Sequence, residues 1–292
     1  MSGKYLKNQP DNRERVSVYS YILRLASCVL CLESCVLNPV SGLPFEDARP
    51  LYAGSRPLGM GNAFTAIADE AEAGFWNPAG LVQWQGVKVF ASAKASDRES
   101  YAFDSKCVAY SYRDTAFFWG NKIALRVEGS DTPDFTYYSI ARKLSPYIAV
   151  GSSVKFKRRH PCDYYQFFGH SPGYDLGILW KPNALSSGGM LIQNMGDRKQ
   201  WIRIVSFGIA HRFSSRSLLS VDLVGLFNSQ IELESHAGWE WQALRWVALR
   251  TGVSDGHPTA GVGLKLSMLM IDYAWIRNDA GSAHFLSGQV KL

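Results

Sequence analysis

The densest set of side chains capable of chemistry lies on residues 231 to 242, where Glu232, Glu234 and Glu240 share the even positions with His236 and Gln242. Two carboxylates held close together can divide general-acid and general-base work. On a strand, however, residues two apart point to one face, so a row of like charges equally describes a solvated surface, and that is the reading adopted. The six histidines (His160, His170, His211, His236, His257 and His284) are scattered, with none at a metal-ligand spacing. Gly59-Met60-Gly61-Asn62-Ala63 lacks the Gly-Lys-Ser/Thr end and the preceding strand of a phosphate loop. The sequence thus presents no catalytic constellation, metal site or cofactor motif, and a protein without enzymatic activity, metal or cofactor is expected.

Composition narrows the class. Residues 1 to 24 are polar and basic, Leu25 to Leu37 are mostly apolar, and small residues follow up to Gly42, the order of a secretory signal peptide. Lys4, Lys7, Arg13, Arg15 and Arg24 make the basic region long, and Glu33 interrupts the apolar core, so the signal over residues 1–42 is an imperfect one. Cys28, Cys31 and Cys35 fall within it; only Cys107 and Cys162 follow, enough for one disulfide and too few for a framework. The net charge of +6 for the whole chain is too small and dispersed to indicate a nucleic-acid partner. A mean hydropathy of -0.10 and the absence of an apolar run near twenty residues argue against membrane helices. Neither argues against a membrane barrel, whose alternating strands average to near-neutral hydropathy. Aromatic residues at 13%, including nine Trp, suit interfacial girdles, although a soluble β-sandwich shares much of this profile.

The elements that must position these residues are strands. From Val87 onward apolar residues recur at every second position, predicting fourteen strands near 87–95, 105–112, 115–125, 134–143, 147–157, 173–181, 189–195, 203–213, 217–227, 231–242, 246–254, 258–267, 269–277 and 284–292. In the clearest, Ile231, Leu233, Ala237, Trp239 and Trp241 oppose the acidic face. Lys155, Asp175, Asp222, Arg250, Lys265, Asp272 and Gln289 take the corresponding inner positions elsewhere. Most of these strands are long enough to cross the hydrocarbon at a tilt, whereas soluble strands are usually shorter. Short connections after even-numbered strands and longer ones after the first four odd-numbered strands fit the short periplasmic turns and long outer loops of an outer-membrane barrel, a rule that weakens after strand nine, where the connections around Asn228 and Asp255 are also short. The expected fold is all-β: a transmembrane antiparallel β-barrel of about fourteen strands over residues 87–292. The connection at 158–172 carries Tyr164, Tyr165, Phe167 and Phe168 beside Arg158, Arg159 and His160, which reads as part of an aromatic belt in preference to a site for an amphipathic ligand.

Between the signal and the strands lies a glycine-punctuated stretch, residues 54 to 81. Gly54, Gly59 and Gly61 permit tight bends or close approach. An amphipathic segment is expected from Asn62 to about Ala73, with Ala63, Ala66 and Ile67 on one face. Pro78 then biases Asn77 away from the helical region. Ser55-Arg56-Pro57-Leu58-Gly59-Met60-Gly61-Asn62-Ala63, followed by Trp76-Asn77-Pro78-Ala79-Gly80-Leu81, resembles the N-terminal segment of FadL-type outer-membrane transport proteins and their PorV/PorQ-like relatives. Tyr138 to Leu144, Gly173 to Leu179 and Gly189 to Asn194 are also similar to stretches of those chains.

The resemblance implies that residues 43–86 form a small, partly helical hatch inside the barrel. It further implies passive uptake of long-chain fatty acids or other hydrophobic small molecules across the outer membrane of a diderm bacterium. Gly59, Gly61, Asn77, Pro78, Ala79 and Gly80 are then the expected gate, and Phe64, Phe75, Trp76 and Leu81 the expected apolar contacts for a fatty acid-like ligand or lipid. Glu232, Glu234, His236, Glu240, Arg250 and Lys265 are expected to face the lumen. The alternative reading is a PorV-like scaffold for protein secretion, with a protein partner and no small-molecule traffic. The chain is short for a fatty-acid transporter of this type, which implies reduced outer loops.

Overall fold

The computed structural model describes residues 53–96, 99–122, 134–158, 170–196, 202–227, 231–278 and 281–292. The expected signal sequence, the first ten residues of the expected hatch, Cys162 and most of the connection at 158–172 lie outside the described residues. Fourteen strands are present: β1 (Gly86–Ser96), β2 (Glu99–Tyr112), β3 (Thr115–Lys122), β4 (Asp134–Lys143), β5 (Ile148–Arg158), β6 (His170–Trp180), β7 (Ser186–Met195), β8 (Arg203–Ser214), β9 (Ser217–Phe227), β10 (Ile231–Leu244), β11 (Val247–Ser254), β12 (His257–Leu266), β13 (Leu269–Asn278) and β14 (Gly281–Lys291). They pair antiparallel in chain order, and β1 closes the barrel on β14, from Lys88 opposite Lys291 to Ser96 opposite Ala283. A closed ladder leaves no strand edge to satisfy, the condition for a sheet to stand in hydrocarbon.

Alternation places one apolar set of side chains outside the barrel. On β10, Ile231, Leu233, Trp239 and Trp241 are 42–68% exposed, while Glu234 and His236 between them are buried. Tyr174, Leu176, Ile178 and Trp180 on β6 and Leu219, Val221 and Leu223 on β9 repeat the pattern. So continuous an apolar exterior would aggregate in water and is matched by lipid. No helix among the described residues is long and apolar enough to cross a membrane, and the crossing belongs to the strands.

Strand boundaries follow the hydrophobic period except where the wall is irregular. β2 begins at Glu99, six residues before the expected start, because Asp104 is an extra residue between Phe103, opposite Ala93, and Ser105, opposite Ser92. That bulge breaks the period of two and turns Asp104 inward, where its Oδ2 accepts from Ser92 Oγ at 3.0 Å. β7 begins at Ser186 although Ser186-Ser187-Gly188-Gly189 has little strand propensity. Its small residues admit an inner segment, as described below.

That segment, residues 53 to 85, contains two single-turn helices, α1 (Ser55–Gly59) and α2 (Ala73–Trp76), and a 3₁₀ turn over Pro78–Gln83. The expected amphipathic run from Asn62 to Ala73 is corrected: it is a chain of turns. Asn62 and Ala68 both have positive φ, 66° and 35°, which a continuous right-handed helix excludes. Several backbone N–H groups in this run are met by side chains of the barrel wall instead of by a helix.

Candidate functional site

The inner segment is seated directly on the backbone of the wall. Glycines at inward positions form three cross-strand pairs: Gly151 with Gly177, Gly189 with Gly208, and Gly238 with Gly252. A Cβ on Gly151 would stand 2.4 Å from Ala79 N, on Gly189 2.3 Å from Thr65 O, and on Gly238 2.1 Å from Met60 O. Gly261 meets Gly59 in the same way, with a Cβ on Gly59 only 3.0 Å from Gly261 Cα. Glycine inside a strand weakens it, and its use here marks a close approach of two backbones. Gly61, at φ 62°, leaves no room for a side chain against Ala237 and Val253.

Polar groups of the wall hold the segment's backbone. Asp222 on β9 accepts from the N–H groups of Phe64 (2.9 Å) and Thr65 (2.8 Å) through one carboxylate oxygen. Gln289 on β14 accepts from Ala71 N at 2.7 Å, and Asn62 Nδ2 donates to Ser254 Oγ at 2.8 Å. Unmade, such buried donors cost about 1–3 kcal/mol each.

A buried ionic network completes the seat near the ends of the strands joined by short turns. Arg56 of α1 grips Glu240 with two nitrogens, Nε to Oε2 at 2.8 Å and Nη2 to Oε1 at 3.0 Å, and also reaches Asp69. Arg250 donates to the same Glu240 Oε2 at 2.7 Å and to Asp272 Oδ1 at 2.6 Å. Glu70 meets Lys88 of β1 and accepts from Gln289 Nε2 at 2.7 Å. Five strands, β1, β10, β11, β13 and β14, thus converge on Arg56, Asp69 and Glu70.

Of the residues expected to gate, Asn77 is the most constrained. Its side-chain nitrogen donates to the carbonyls of Thr65 (2.9 Å) and of Ile178 on β6 (3.1 Å), and its oxygen caps Ala79 N at 3.1 Å. Asn77 is extended, φ -146° and ψ 103°, as a residue before proline prefers, and Pro78 opens the 3₁₀ turn. Gly80 lies against Ala68, where a Cβ would come within 1.9 Å of the carbonyl oxygen.

Phe64, Phe75, Trp76 and Leu81 are buried between segment and wall. Phe64 meets Trp76 edge-on at 6.0 Å, and Phe75 meets Phe118 of β3 at 5.0 Å and Tyr137 of β4 at 5.1 Å. Of the polar set, Glu240 and Arg250 belong to the ionic network. Glu234 and His236 lie together next to Ser254, whose Oγ is 3.2 Å from His236 Nδ1. Glu232 and Lys265 share the inward parity of their strands but are exposed, near opposite ends of the barrel.

Sequence reasoning missed the roles of Arg56, Glu70 and the wall glycines. Glycines recurring at inward positions of otherwise regular strands were the signal that could have revealed the last.

Glu72 adds a pH dependence to this seat. It is buried, and desolvation followed by the charge of Glu70 pushes its carboxyl up to about 8, with Asp272 raising it and Arg56 lowering it. A carboxyl of pKa 4.5 when free and about 8 when seated favours the seated segment below the first value. The advantage shrinks as pH rises through the second. Conductance across planar bilayers is therefore expected to increase between these two pH values, and Glu72→Gln to flatten that rise; an unchanged slope in the variant would remove Glu72 from the explanation.

The site is the seat of an inner segment on the wall of a closed fourteen-stranded barrel. No protein-family model and no curated protein matches the sequence. Solved structures are similar to it. The toluene transporter TbuX of Ralstonia pickettii has a TM-score of 0.65 at 12% identity, over 84% of this chain and 99% of that one. The CymD monoaromatic hydrocarbon channel has a TM-score of 0.62 at 12% identity over 84% and 99%. A FadL homologue of Pseudomonas aeruginosa has 0.59 at 11% over 81% and 98%. The fold is the one shared by these FadL-type outer-membrane barrels, and at such identities the likeness is one of fold.

Proposed function

We propose that the protein stands in the outer membrane of a diderm bacterium and admits hydrophobic small molecules, fatty acid-like or aromatic, with residues 53–85 as a movable hatch. One observation carries this reading. Each strand of the wall is paired with two wall neighbours, and the inner segment contributes none, being held by side chains and close packing alone. It can shift without opening a ladder. Phe64, Phe75, Trp76 and Leu81, buried when the segment is seated, then line the apolar path that its movement uncovers. The similar fold of proteins described as a toluene transporter and a monoaromatic hydrocarbon channel supports the same direction.

Uptake of a labelled fatty acid and of a labelled monoaromatic hydrocarbon is the test, in cells with no other barrel for apolar solutes. Expression of the chain is expected to raise uptake of at least one, and Asn77→Ala with Pro78→Ala to raise it further by loosening the segment. Uptake no greater than in empty cells, from a barrel that migrates heat-modifiably and is recovered in the outer membrane, would rule out this function. Co-purification of a secreted protein in that case would favour the scaffold reading.

A further inference from the structure

The outward face of β2, β3 and β4 is notched at the edge where a short turn joins β2 to β3. Tyr112, Thr115 and Arg142 stand side by side in the row at that edge, and Tyr110, Phe117 and Ile140 in the next row toward the middle of the membrane. Thr115 is small, and between the larger side chains it leaves a cleft of about 300 Å³ that reaches the turn residues Arg113 and Asp114. The Arg113 guanidinium lies 5.2 Å over the Tyr112 ring, and among the described residues neither Arg113 nor Arg142 forms an ion pair. The same edge carries exposed Lys143, Lys181, Arg216, Arg245, Lys265 and Lys291, whereas Asp114 is the only carboxylate in the six short turns.

We propose that this cleft binds one anionic phospholipid of the surrounding leaflet, its phosphate on Arg113, Arg142 and the Thr115 hydroxyl and its acyl chains over Tyr110, Phe117 and Ile140. A guanidinium fork matches phosphate oxygens in geometry and charge. Aromatic rings one row deeper offer an apolar bed at the depth where the chains begin. A free phosphate would engage the cations and leave the rings without a role; a phospholipid uses both. The surplus of cations along the edge selects a headgroup with net negative charge over a zwitterionic one. The inference rests on the membrane-spanning barrel and is independent of what passes through it.

Native mass spectrometry of the full chain in detergent, titrated with phosphatidylglycerol or phosphatidylethanolamine of the same acyl chains, tests it. The protein is expected to retain phosphatidylglycerol in preference. Arg113→Gln with Arg142→Gln should weaken that retention about thirtyfold, the scale for two cations beside an anionic surface. Thr115→Trp, which fills the cleft and keeps both charges, should weaken it as well. Arg216→Gln with Arg245→Gln, on the same edge and away from the cleft, should leave most of it intact; heat-modifiable migration establishes that each variant is folded. Equal retention of the two lipids, equal loss in the Arg216/Arg245 variant, or displacement of the lipid by millimolar inorganic phosphate would each overturn the proposal.

Discussion

Gly238→Ala is expected to unseat the inner segment although it adds one methyl group to a strand. By strand propensity alone the change should be neutral or favourable, since glycine is the poorer strand former. Packing reverses the sign. The new Cβ would lie 2.1 Å from Met60 O and 2.7 Å from Met60 C, atoms of backbone with no rotamer to escape into. Overpacking typically costs about 1–3 kcal/mol, and a clash between two backbones belongs at the upper end. The strand itself is spared, because Gly238 keeps its places opposite Ser220 and Gly252 and the outward face is untouched. The expected result is a barrel that still migrates heat-modifiably but conducts more in planar bilayers and is cut more readily by protease within residues 53–85. Gly188→Ala serves as the control, since a Cβ there meets nothing closer than 3.5 Å. Equal behaviour of the two variants would mean that the segment does not rest on the glycine wall.

Glu240→Leu is expected to have an effect at least as large. Glu240 lies between Arg56 of the segment and Arg250 of the wall and accepts from both. Removing one member of a buried ion pair costs about 3–5 kcal/mol, mostly because the partner's charge remains without compensation. Here two guanidinium groups are left facing each other, with Asp69, Glu70 and Asp272 as their remaining carboxylates. The repulsion falls on the contact between segment and wall, so movement of the segment relieves it. Leak conductance is expected to rise severalfold, and Arg56→Met combined with Glu240→Leu to recover part of the closure, since the two guanidinium groups no longer face each other and Arg250 keeps Asp272, although Asp69 loses Arg56. A double variant as leaky as the single one would show that Glu240 acts through the wall and not through Arg56.

The wall was legible because lipid imposes a simple code. Trp239, Glu240 and Trp241 on β10 alternate because one face meets hydrocarbon and the other the interior. Where that code is broken by a local insertion, as at Asp104, the period of two lapses and the strand is read too short. The interior was less legible, for a different reason. Asn77-Pro78-Ala79-Gly80 could be recognised as a unit because its constraints are local: a proline, a cap and a glycine within four residues. Arg56 and Glu240 are 184 residues apart in sequence, and nothing in either neighbourhood specifies the other. The run from Asn62 to Ala73 was misread because its small apolar residues suggest a helical face, while its backbone donors find partners on Asp222 and Gln289. In an interior assembled from distant strands, satisfaction of the backbone comes from residues that local pattern cannot supply.

The central claim, that movement of the inner segment opens a path for apolar solutes, is tested most directly by tying that segment to the wall. Ser55 N donates to Ser287 Oγ at 3.2 Å, which sets α1 against β14, and a Ser55→Cys, Ser287→Cys pair is placed there to be bridged on oxidation. In a background whose native cysteines are replaced by serine, uptake of a labelled apolar solute should be lost on oxidation and return on reduction, with each single-cysteine variant unaffected. Uptake at the same rate with the bridge closed and open would contradict the account.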